Sequence, residues 1–290
     1  MNVTVTNAIL DTIKDTATLL PFLFVTYVVM EIIERKTEER SVEMLSGVGR
    51  FSHVIASAIG LIPQCGFSAG AASLYSGGVI TVGTLLAVFL STSDEMIPIF
   101  ISSSVPAGTI GKILALKFVI ALASGIAIDA LSKTINYEFH SDKHIHDLCE
   151  RDNCGCEEEG SVVKSAAVHT LKITVFIFVI SLLLSLLVGF AGEGALRNAI
   201  AGSGILGTLL AALIGLIPNC AASVAVTEMY LEGLMTCGQL MAGLLVGAGV
   251  GILVLLRTNT NHKENAAIIA TLFALGVAWG IVIDVIGISF

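Results

Sequence analysis

The amino-acid sequence predicts an all-α, polytopic membrane protein with about ten helices, in two inverted repeats of five helices each. Three observations carry this prediction: a strongly apolar composition, ten separate apolar runs, and a sequence repeat at a constant offset of 155 residues. We also expect helices that are broken at proline to meet near the middle of the membrane, where irregular backbone must be enclosed by protein or line a cavity.

The composition excludes several classes of protein. Hydrophobic residues make up 55% of the 290 residues and charged residues only 13%, whereas a soluble domain has about 25% charged residues. The net charge of −8, from 15 basic and 23 acidic residues, argues against a nucleic-acid-binding surface. The chain is therefore neither a soluble enzyme nor a disordered protein. Its length allows roughly eight to ten helices of about 20 apolar residues each.

Ten apolar runs are the candidate helices. The third and eighth runs are short and directly follow Pro63 and Pro218, so we interpret them as parts of broken or re-entrant helices. Residues 1–15 show no basic start and no cleavage site, so the first run is expected to remain as a membrane helix. The runs are 16–33, 44–62, 65–77, 79–101, 112–131, 168–190, 199–217, 220–232, 234–256 and 266–288.

The most polar stretch of the chain divides it into two halves. Residues 132–165 contain eight acidic residues, four basic residues and three of the six cysteines. We predict a first transmembrane repeat in residues 1–131, a cytosolic acidic linker rich in cysteine and histidine in residues 132–165, and a second transmembrane repeat in residues 166–290.

The two halves repeat one another in sequence. Residues 60–65 read Gly-Leu-Ile-Pro-Gln-Cys, and residues 215–220 read Gly-Leu-Ile-Pro-Asn-Cys. The same offset, without a gap, continues as far as Asp129 and Asp284 and covers about 70 residues, which indicates duplication. Five helices per half would invert the second copy. Ten spans with the N-terminus outside place ten Lys and Arg residues at the cytoplasmic side and three outside, in agreement with the positive-inside rule.

The repeated proline turns are the first candidate substrate site. Proline removes a backbone donor and frees carbonyl oxygens, and side chains with amide, thiol and hydroxyl groups follow it. Oxygen ligands suit manganese or magnesium, whereas thiolates suit softer ions. The alternative interpretation is close helix packing through small residues. The candidate ligands at these turns are Gln64, Cys65, Ser68, Asn219, Cys220 and Ser223.

Acidic side chains inside apolar runs form the second candidate group. Asp94 and Glu95 follow Ser-Thr-Ser, and ionisable residues at membrane depth are by default functional. We predict that one of them binds the cation or an exchanged proton, the alternative being an interfacial loop near Pro98. Glu228 is the candidate acid of the second half, ahead of Glu232 at a predicted helix end.

For five other ionisable residues, we expect a structural role before a functional one. Asp129 and Asp284 recur near helix ends, where we expect them to cap or anchor the repeat. Lys117 and Lys172 lie in apolar runs and are expected to extend towards a membrane interface. His53 is expected to be an ordinary hydrogen-bonded residue, with a proton relay as the alternative.

The linker carries a third candidate site. Imidazole and thiolate groups at close spacing can chelate zinc or copper, although this spacing is not that of a zinc finger. The alternative is a solvated acidic linker. The candidate ligands of this accessory metal site are His140, His144, His146, Cys149, Cys154 and Cys156.

The repeated Ile-Pro-Gln/Asn-Cys turns, the Ser-Thr-Ser-Asp-Glu run and the linker sequence resemble a bacterial membrane family. This family comprises ten-helix heavy-metal exporters, also described as manganese transporters and related to arsenic-efflux permeases. The resemblance covers nearly the whole chain. It implies a multi-pass protein of the bacterial inner (plasma) membrane with a heavy-metal substrate. It also marks Gln64, Cys65, Asp94, Glu95, Asn219 and Cys220 as site residues.

These observations favour a secondary transporter that exports a divalent transition metal, with Mn²⁺ first, by alternating access. Repeats with broken helices are typical of such proteins. The absence of a nucleotide-binding motif in the sequence points to proton antiport, and no tightly bound cofactor is expected. The expected partners are the metal ion, protons and the lipid bilayer. A glycine-rich face at residues 243–249 would also allow a homodimer.

Three alternatives remain open. The chain could be a permease for an arsenite-like metalloid or a small organic anion, since helix N-termini favour anions and paired cysteines could bind a metalloid. It could be an intramembrane enzyme, although it has no His-Glu-x-x-His run. It could also be a channel or a metal sensor.

Overall fold

The computed structural model describes residues 51–64, 66–93, 96–134, 162–191 and 204–290, together with part of the stretch 10–28. All regular secondary structure in these ranges is helical, as predicted. The helices of the first half are α1 (Ser52–Gly60), α2 (Gly66–Ser76), α3 (Val82–Ser91), α4 (Met96–Ser102) and α5 (Ala107–Thr134). After α6 (Val162–Ala191), the helices of the second half are α7 (Gly204–Gly215), α8 (Cys220–Leu231), α9 (Cys237–Val246), α10 (Val250–Thr258) and α11 (His262–Ile286).

Four stretches of the described chain are long and apolar enough to cross a membrane, judged by length and composition. Two of them, Ala107–Ser132 and His262–Ile286, run through single helices. The other two, Val82–Ser102 and Cys237–Thr258, each contain a break. We call the segment between α3 and α4 the first break and the segment between α9 and α10 the second break. For the run at 79–101, the interfacial loop near Pro98 is only the alternative interpretation, and the run at 234–256 gives no sign of an interruption.

Each helix of the first half has a counterpart 155 positions further along the chain, and we use "counterpart" in this sense for residues too. Helices α3 and α9 begin at counterpart residues, and so do α5 and α11. The residues before α3 and α9, Thr81 and Thr236, have φ/ψ angles of −77°/163° and −76°/165°. The sequence repeat is therefore also a repeat of local backbone structure.

Glycines set the helix packing inside each half. Helices α1, α3 and α5 pack together, as do their counterparts α7, α9 and α11. A Cβ atom on Gly83 would lie 2.3 Å from the Gly125 carbonyl oxygen, and one on Gly238 would lie 2.2 Å from that of Gly280. These separations leave no room for a side chain at either glycine. The backbones of α3 and α5 are therefore in contact, and so are those of α9 and α11.

The contacts between the halves are reciprocal. Helix α2 packs against α10 of the other half, and the counterpart pair α8 and α4 also packs together. Trp279 Nε1 donates a hydrogen bond to its own counterpart, Ser124 Oγ, at 3.0 Å. The contacts between the halves therefore join the same elements in both directions. Each half therefore places a short helix against the broken helix of the other.

Candidate substrate site

The two proline turns have the same backbone structure. The Gln64 amide donates to the Ile62 carbonyl at 2.7 Å, and the Asn219 amide donates to the Ile217 carbonyl at 2.7 Å. A hydrogen bond between residues two apart closes a γ-turn, with the proline at its centre. Helices α2 and α8 restart within two residues of these turns. The predicted interruption of the helices at proline is confirmed.

Each proline turn lies beside the long broken helix of its own half. A Cβ atom on Gly60, at the end of α1, would lie 2.0 Å from Ser91 Oγ in the last turn of α3. The counterpart atom on Gly215 would lie 2.1 Å from the Gly243 carbonyl oxygen in α9. The C-terminal ends of neighbouring helices therefore come together just before both turns and both breaks.

The two breaks are built differently. At the first break, the hydroxyl groups of Ser91 and Thr92 each donate at 2.8 Å to a carbonyl of α3, those of Ala87 and Val88 respectively. At the second break, Gly249 has φ 53° and ψ −135°, a conformation that a residue with a Cβ atom rarely adopts. The first break thus follows two hydroxyl side chains bonded back to their own helix, whereas the second contains Gly247 and Gly249.

Four of the predicted ligands lie at these turns and breaks. Ser68 is fully buried and packs against α10, where a Cβ atom on Gly251 would lie 2.9 Å from Ser68 Cβ. Ser223 Oγ lies 3.5 Å from the position of a Cβ atom on Gly247, in the second break. Asn219 is buried, and its counterpart Gln64 is partly exposed.

Glu228 and Glu232, the two candidate acids of the second half, lie away from the turns and breaks. Glu228 is exposed on α8, and Glu232 is exposed directly after that helix. Ser73, the counterpart of Glu228, is instead fully buried and hydrogen-bonded to Tyr27 at 3.1 Å. The structure therefore does not bring Glu228 into the buried region where the turns and breaks meet.

Several predicted site residues lie outside the described residues. These are Cys65, Asp94, Glu95 and the six linker ligands His140, His144, His146, Cys149, Cys154 and Cys156. Cys220 is described only as the first residue of α8. Within the part of the chain that the structure describes, no group of three or more His, Cys, Asp or Glu residues could hold a metal ion.

Lys117 is the central residue that sequence reasoning misjudged. The expectation that it extends to an interface is wrong: its side chain is 0% exposed. Its ammonium donates to the carbonyl oxygens of Thr92, at the first break, and Leu244, two residues before α9 ends, the latter at 3.1 Å. The sequence did offer a signal: Lys117 lies inside an apolar run, and its counterpart is the apolar residue Leu272. Lys172, by contrast, is exposed on α6.

Asp129 and Asp284 hold the starts of the broken helices, which confirms their predicted capping role. Asp129 accepts hydrogen bonds from the Gly83 amide at 2.8 Å and the Thr81 hydroxyl at 2.5 Å. Asp284 accepts from the corresponding groups of Gly238 and Thr236, both at 2.8 Å. A carboxylate at a helix N-terminus is stabilised by the unpaired amides and the helix dipole.

His53 is a hydrogen-bonded residue in the first half alone. Its Nε2 atom lies 2.8 Å from Asp129 Oδ2, while its counterpart in the second half is Thr208. The side chains of His53 and Asp129 are 13% and 14% exposed. This geometry agrees with the ordinary hydrogen-bonded role expected from the sequence.

A buried acid, Glu264, was not singled out by sequence reasoning. It lies in the first turn of α11, is 4% exposed, and accepts a hydrogen bond from the Tyr75 hydroxyl at the end of α2. Next to it, Ser76 Oγ and Thr258 Oγ1 lie 2.6 Å apart. Because its partners come from distant parts of the chain, no local pattern marked this residue.

The meeting of helix ends determines what the region can bind. Helices α1, α3, α7 and α9 end at the turns and breaks, while α2, α4, α8 and α10 begin there. Helix C-termini carry partial negative charge and favour cations, whereas N-termini favour anions. The region therefore offers carbonyl oxygens for a cation and amide groups for an anion.

A comparison with protein families found one match. The model of a family described as "Putative, 10TM heavy-metal exporter" matches residues 4–158 and 138–283, two overlapping segments that together span nearly the whole chain. A search of curated proteins and a search of solved structures found no match.

Proposed function

Because the chain belongs to this family of ten-helix heavy-metal exporters, and is thus a multi-pass membrane protein, we propose that it exports a divalent transition metal by alternating access. Mn²⁺ is the first candidate substrate, and the bacterial inner membrane is the proposed location. The observation that carries this proposal is that both proline turns lie beside the two helix breaks, with Ser68 and Asn219 buried there. Secondary transporters bind their substrates at such meetings of discontinuous helices.

The way the halves interlock supports the proposal of alternating access. Each half contributes a short helix, α2 or α8, that packs on the broken helix of the other half. In an inverted pair of repeats, movement of one half against the other exposes the shared site to either side of the membrane in turn. The excess of basic residues on the proposed cytoplasmic side supports the inverted arrangement.

The proposed metal ligands are oxygen atoms. Asp94 and Glu95 follow Thr92 and Ser93 in the sequence. Two carboxylates therefore come directly after the described part of the first break. Carboxylate and amide oxygens suit Mn²⁺, and an ionisable side chain at membrane depth can also exchange protons. We therefore assign metal binding to Asp94, Glu95, Gln64 and Asn219, with protons as the coupling ion.

The direct test is transport in proteoliposomes that contain the purified protein. Mn²⁺, Zn²⁺ and arsenite should be compared side by side, with an imposed pH gradient and separate dyes for metal and for protons. We expect Mn²⁺ movement that is coupled to proton counterflow. A folded protein that moves none of the three substrates would contradict the proposal.

A double variant tests the assigned carboxylates. Replacing Asp94→Asn and Glu95→Gln should abolish Mn²⁺ transport while the yield of folded protein stays unchanged. Glu232→Gln is the matched control, because this acid is exposed directly after α8, and it should transport normally. Full transport by the double variant would exclude these two side chains from the site.

One feature favours a second candidate, a permease for a metalloid or a small organic anion. Four helix N-termini and the Lys117 ammonium lie around the same breaks, and both attract anionic groups. In that case Cys65→Ser and Cys220→Ser should impair arsenite transport more than the carboxylate variants do. Transport of arsenite without Mn²⁺ in the same proteoliposomes would favour this candidate.

A further inference from the structure

Lys117 joins the two halves at their breaks. Its ammonium donates to the carbonyl of Thr92, the C-cap residue of α3 in the first half, and to the carbonyl of Leu244, in the last turn of α9 in the second half. The lysine itself comes from α5, so three helices meet at a single charged atom. The counterpart position holds Leu272, which is also fully buried. The first half therefore supplies a cation at a depth where the second half supplies a hydrocarbon side chain.

The surroundings suit a cation with N–H donors. A buried ammonium must have its protons accepted by protein groups, because removing an ion from water without partners is very costly. Carbonyl oxygens at the ends of helices carry the negative end of the helix dipole, and carbonyls at discontinuous helices coordinate cations in membrane transporters. Thr92 and Leu244 together present such oxygens from both sides of the boundary between the halves.

We propose that the carbonyl oxygens of Thr92 and Leu244 form a binding site for a primary ammonium group, and that Lys117 is its tethered occupant. With the site filled, the ends of α3 and α9 are held together. Thr92 precedes Asp94 by two residues, so the same contact fixes where the chain leads into the proposed metal ligands. Lys117 is thus a positioning residue, and this last part rests on the proposed function.

Replacing Lys117→Ala and adding amines tests the site without any transported metal. The substitution removes three methylene groups and the ammonium, a fragment that n-propylammonium matches atom for atom. In detergent, the variant should unfold at a lower Tm than the wild type. Saturating n-propylammonium should raise that Tm by about 3 °C or more, since a ligand that binds only the folded state stabilises it. Tetramethylammonium at equal concentration carries the same charge without N–H donors and should raise it less.

Leu272→Ala is the matched control, because it opens space at the counterpart position without removing a charge. We expect no gain in its Tm from n-propylammonium beyond that from tetramethylammonium. The proposal is overturned if the amine stabilises Lys117→Ala no more than tetramethylammonium or Na⁺ does. It is equally overturned if the amine stabilises Leu272→Ala as much.

A second pair of variants applies if Lys117→Ala does not fold. Glutamine and methionine are similar in size, but only glutamine can donate to the two carbonyls, so Lys117→Gln should have a higher Tm than Lys117→Met. The reverse order would contradict an occupant defined by hydrogen bonds. In proteoliposomes, n-propylammonium should also restore Mn²⁺ transport by Lys117→Ala. Rescue of the Tm without rescue of transport would keep the ammonium site and overturn its link to transport.

Discussion

The two halves share a backbone plan but differ in the polar groups they bury. The features that both halves keep are contacts that hold helices: the glycine approaches of Gly83 and Gly238, and the aspartate caps of Asp129 and Asp284. The features that only the first half has are chemical. It buries Lys117 where the second half has leucine, and it places His53 where the second half has threonine.

This difference separates repeated residues that hold helices from single residues that are candidates for function, in addition to the repeated Gln64 and Asn219 proposed above as metal ligands. A residue that a helix contact requires in one half is required in the other, because the contact recurs. A binding site at the boundary between the halves needs its ligand only once. Lys117, which contacts both breaks, and Asp94 and Glu95, which follow Ser93 in the sequence, are therefore the asymmetric residues that we consider first for function.

The largest effect is expected from the shared glycines. Gly83→Val and Gly238→Val should each prevent recovery of folded protein, because the new Cβ atoms would lie 2.3 Å and 2.2 Å from backbone oxygens. Size-exclusion chromatography in detergent gives the fraction of folded protein. Gly111→Ala, on α5 with nothing within 4 Å of its new Cβ atom, should be recovered normally. A difference between the halves would show that their helix contacts are not equivalent.

The next effect comes from the second break. Gly249→Ala should lower the free energy of unfolding by about 1–3 kcal/mol, because a residue with a Cβ atom is strained at φ 53° and ψ −135°. Denaturation in mixed micelles measures the change. Gly108→Ala is the control, because its new Cβ atom contacts nothing within 4 Å. If the two alanine variants are equally stable, the left-handed conformation does not constrain the second break.

The aspartate caps should give smaller and nearly equal effects. Asp129→Asn and Asp284→Asn each weaken two hydrogen bonds at a helix N-terminus, which should reduce stability by about 1 kcal/mol in each half. Asp129→Asn should be the more harmful by a few tenths of a kcal/mol, since it also loses the charge facing His53. Measured Tm values in detergent would reveal the order. A larger loss at Asp284 would reverse the comparison.

The smallest effect should come from making the first half resemble the second. His53→Thr copies the counterpart Thr208 and removes the single hydrogen bond to Asp129, with an expected loss of about 0.5 kcal/mol. Thr208→Ser, a conservative change at the counterpart position, serves as the control. Mn²⁺ transport by His53→Thr should stay at the wild-type level if the histidine is only structural. Loss of proton coupling with unchanged stability would instead favour a proton relay.

The sequence predicts the repeated features well. The helical class, the interruptions after Pro63 and Pro218 and the capping role of Asp129 and Asp284 all follow from residues that recur at one offset. A residue that recurs at the same offset is rarely there by chance, because a contact that the fold needs in one half is needed again in the other. Helix boundaries are less predictable: α5 and α11 both extend beyond their apolar runs, because caps and polar ends belong to a helix without adding to its hydrophobicity.

Three features that occur once could not be read from the sequence. The second break contains no proline, and the positive φ angle of Gly249 there is not marked by any sequence pattern. The burial of Lys117 depends on Leu244, 127 residues away, and that of Glu264 depends on Tyr75, 189 residues away. Hydropathy places a lysine within a run, but it does not show which helix ends will surround it.

The separations along the chain also bear on biosynthesis. Lys117 is made 25 residues after Thr92 but 127 residues before Leu244. When α5 leaves the ribosome, one carbonyl partner is already present and the other does not yet exist. The Thr92 carbonyl can therefore accept a hydrogen bond from the Lys117 ammonium before the second half has been synthesised. Its hydrogen bond to the Leu244 carbonyl can form only later, when the second half has been synthesised and packs against the first.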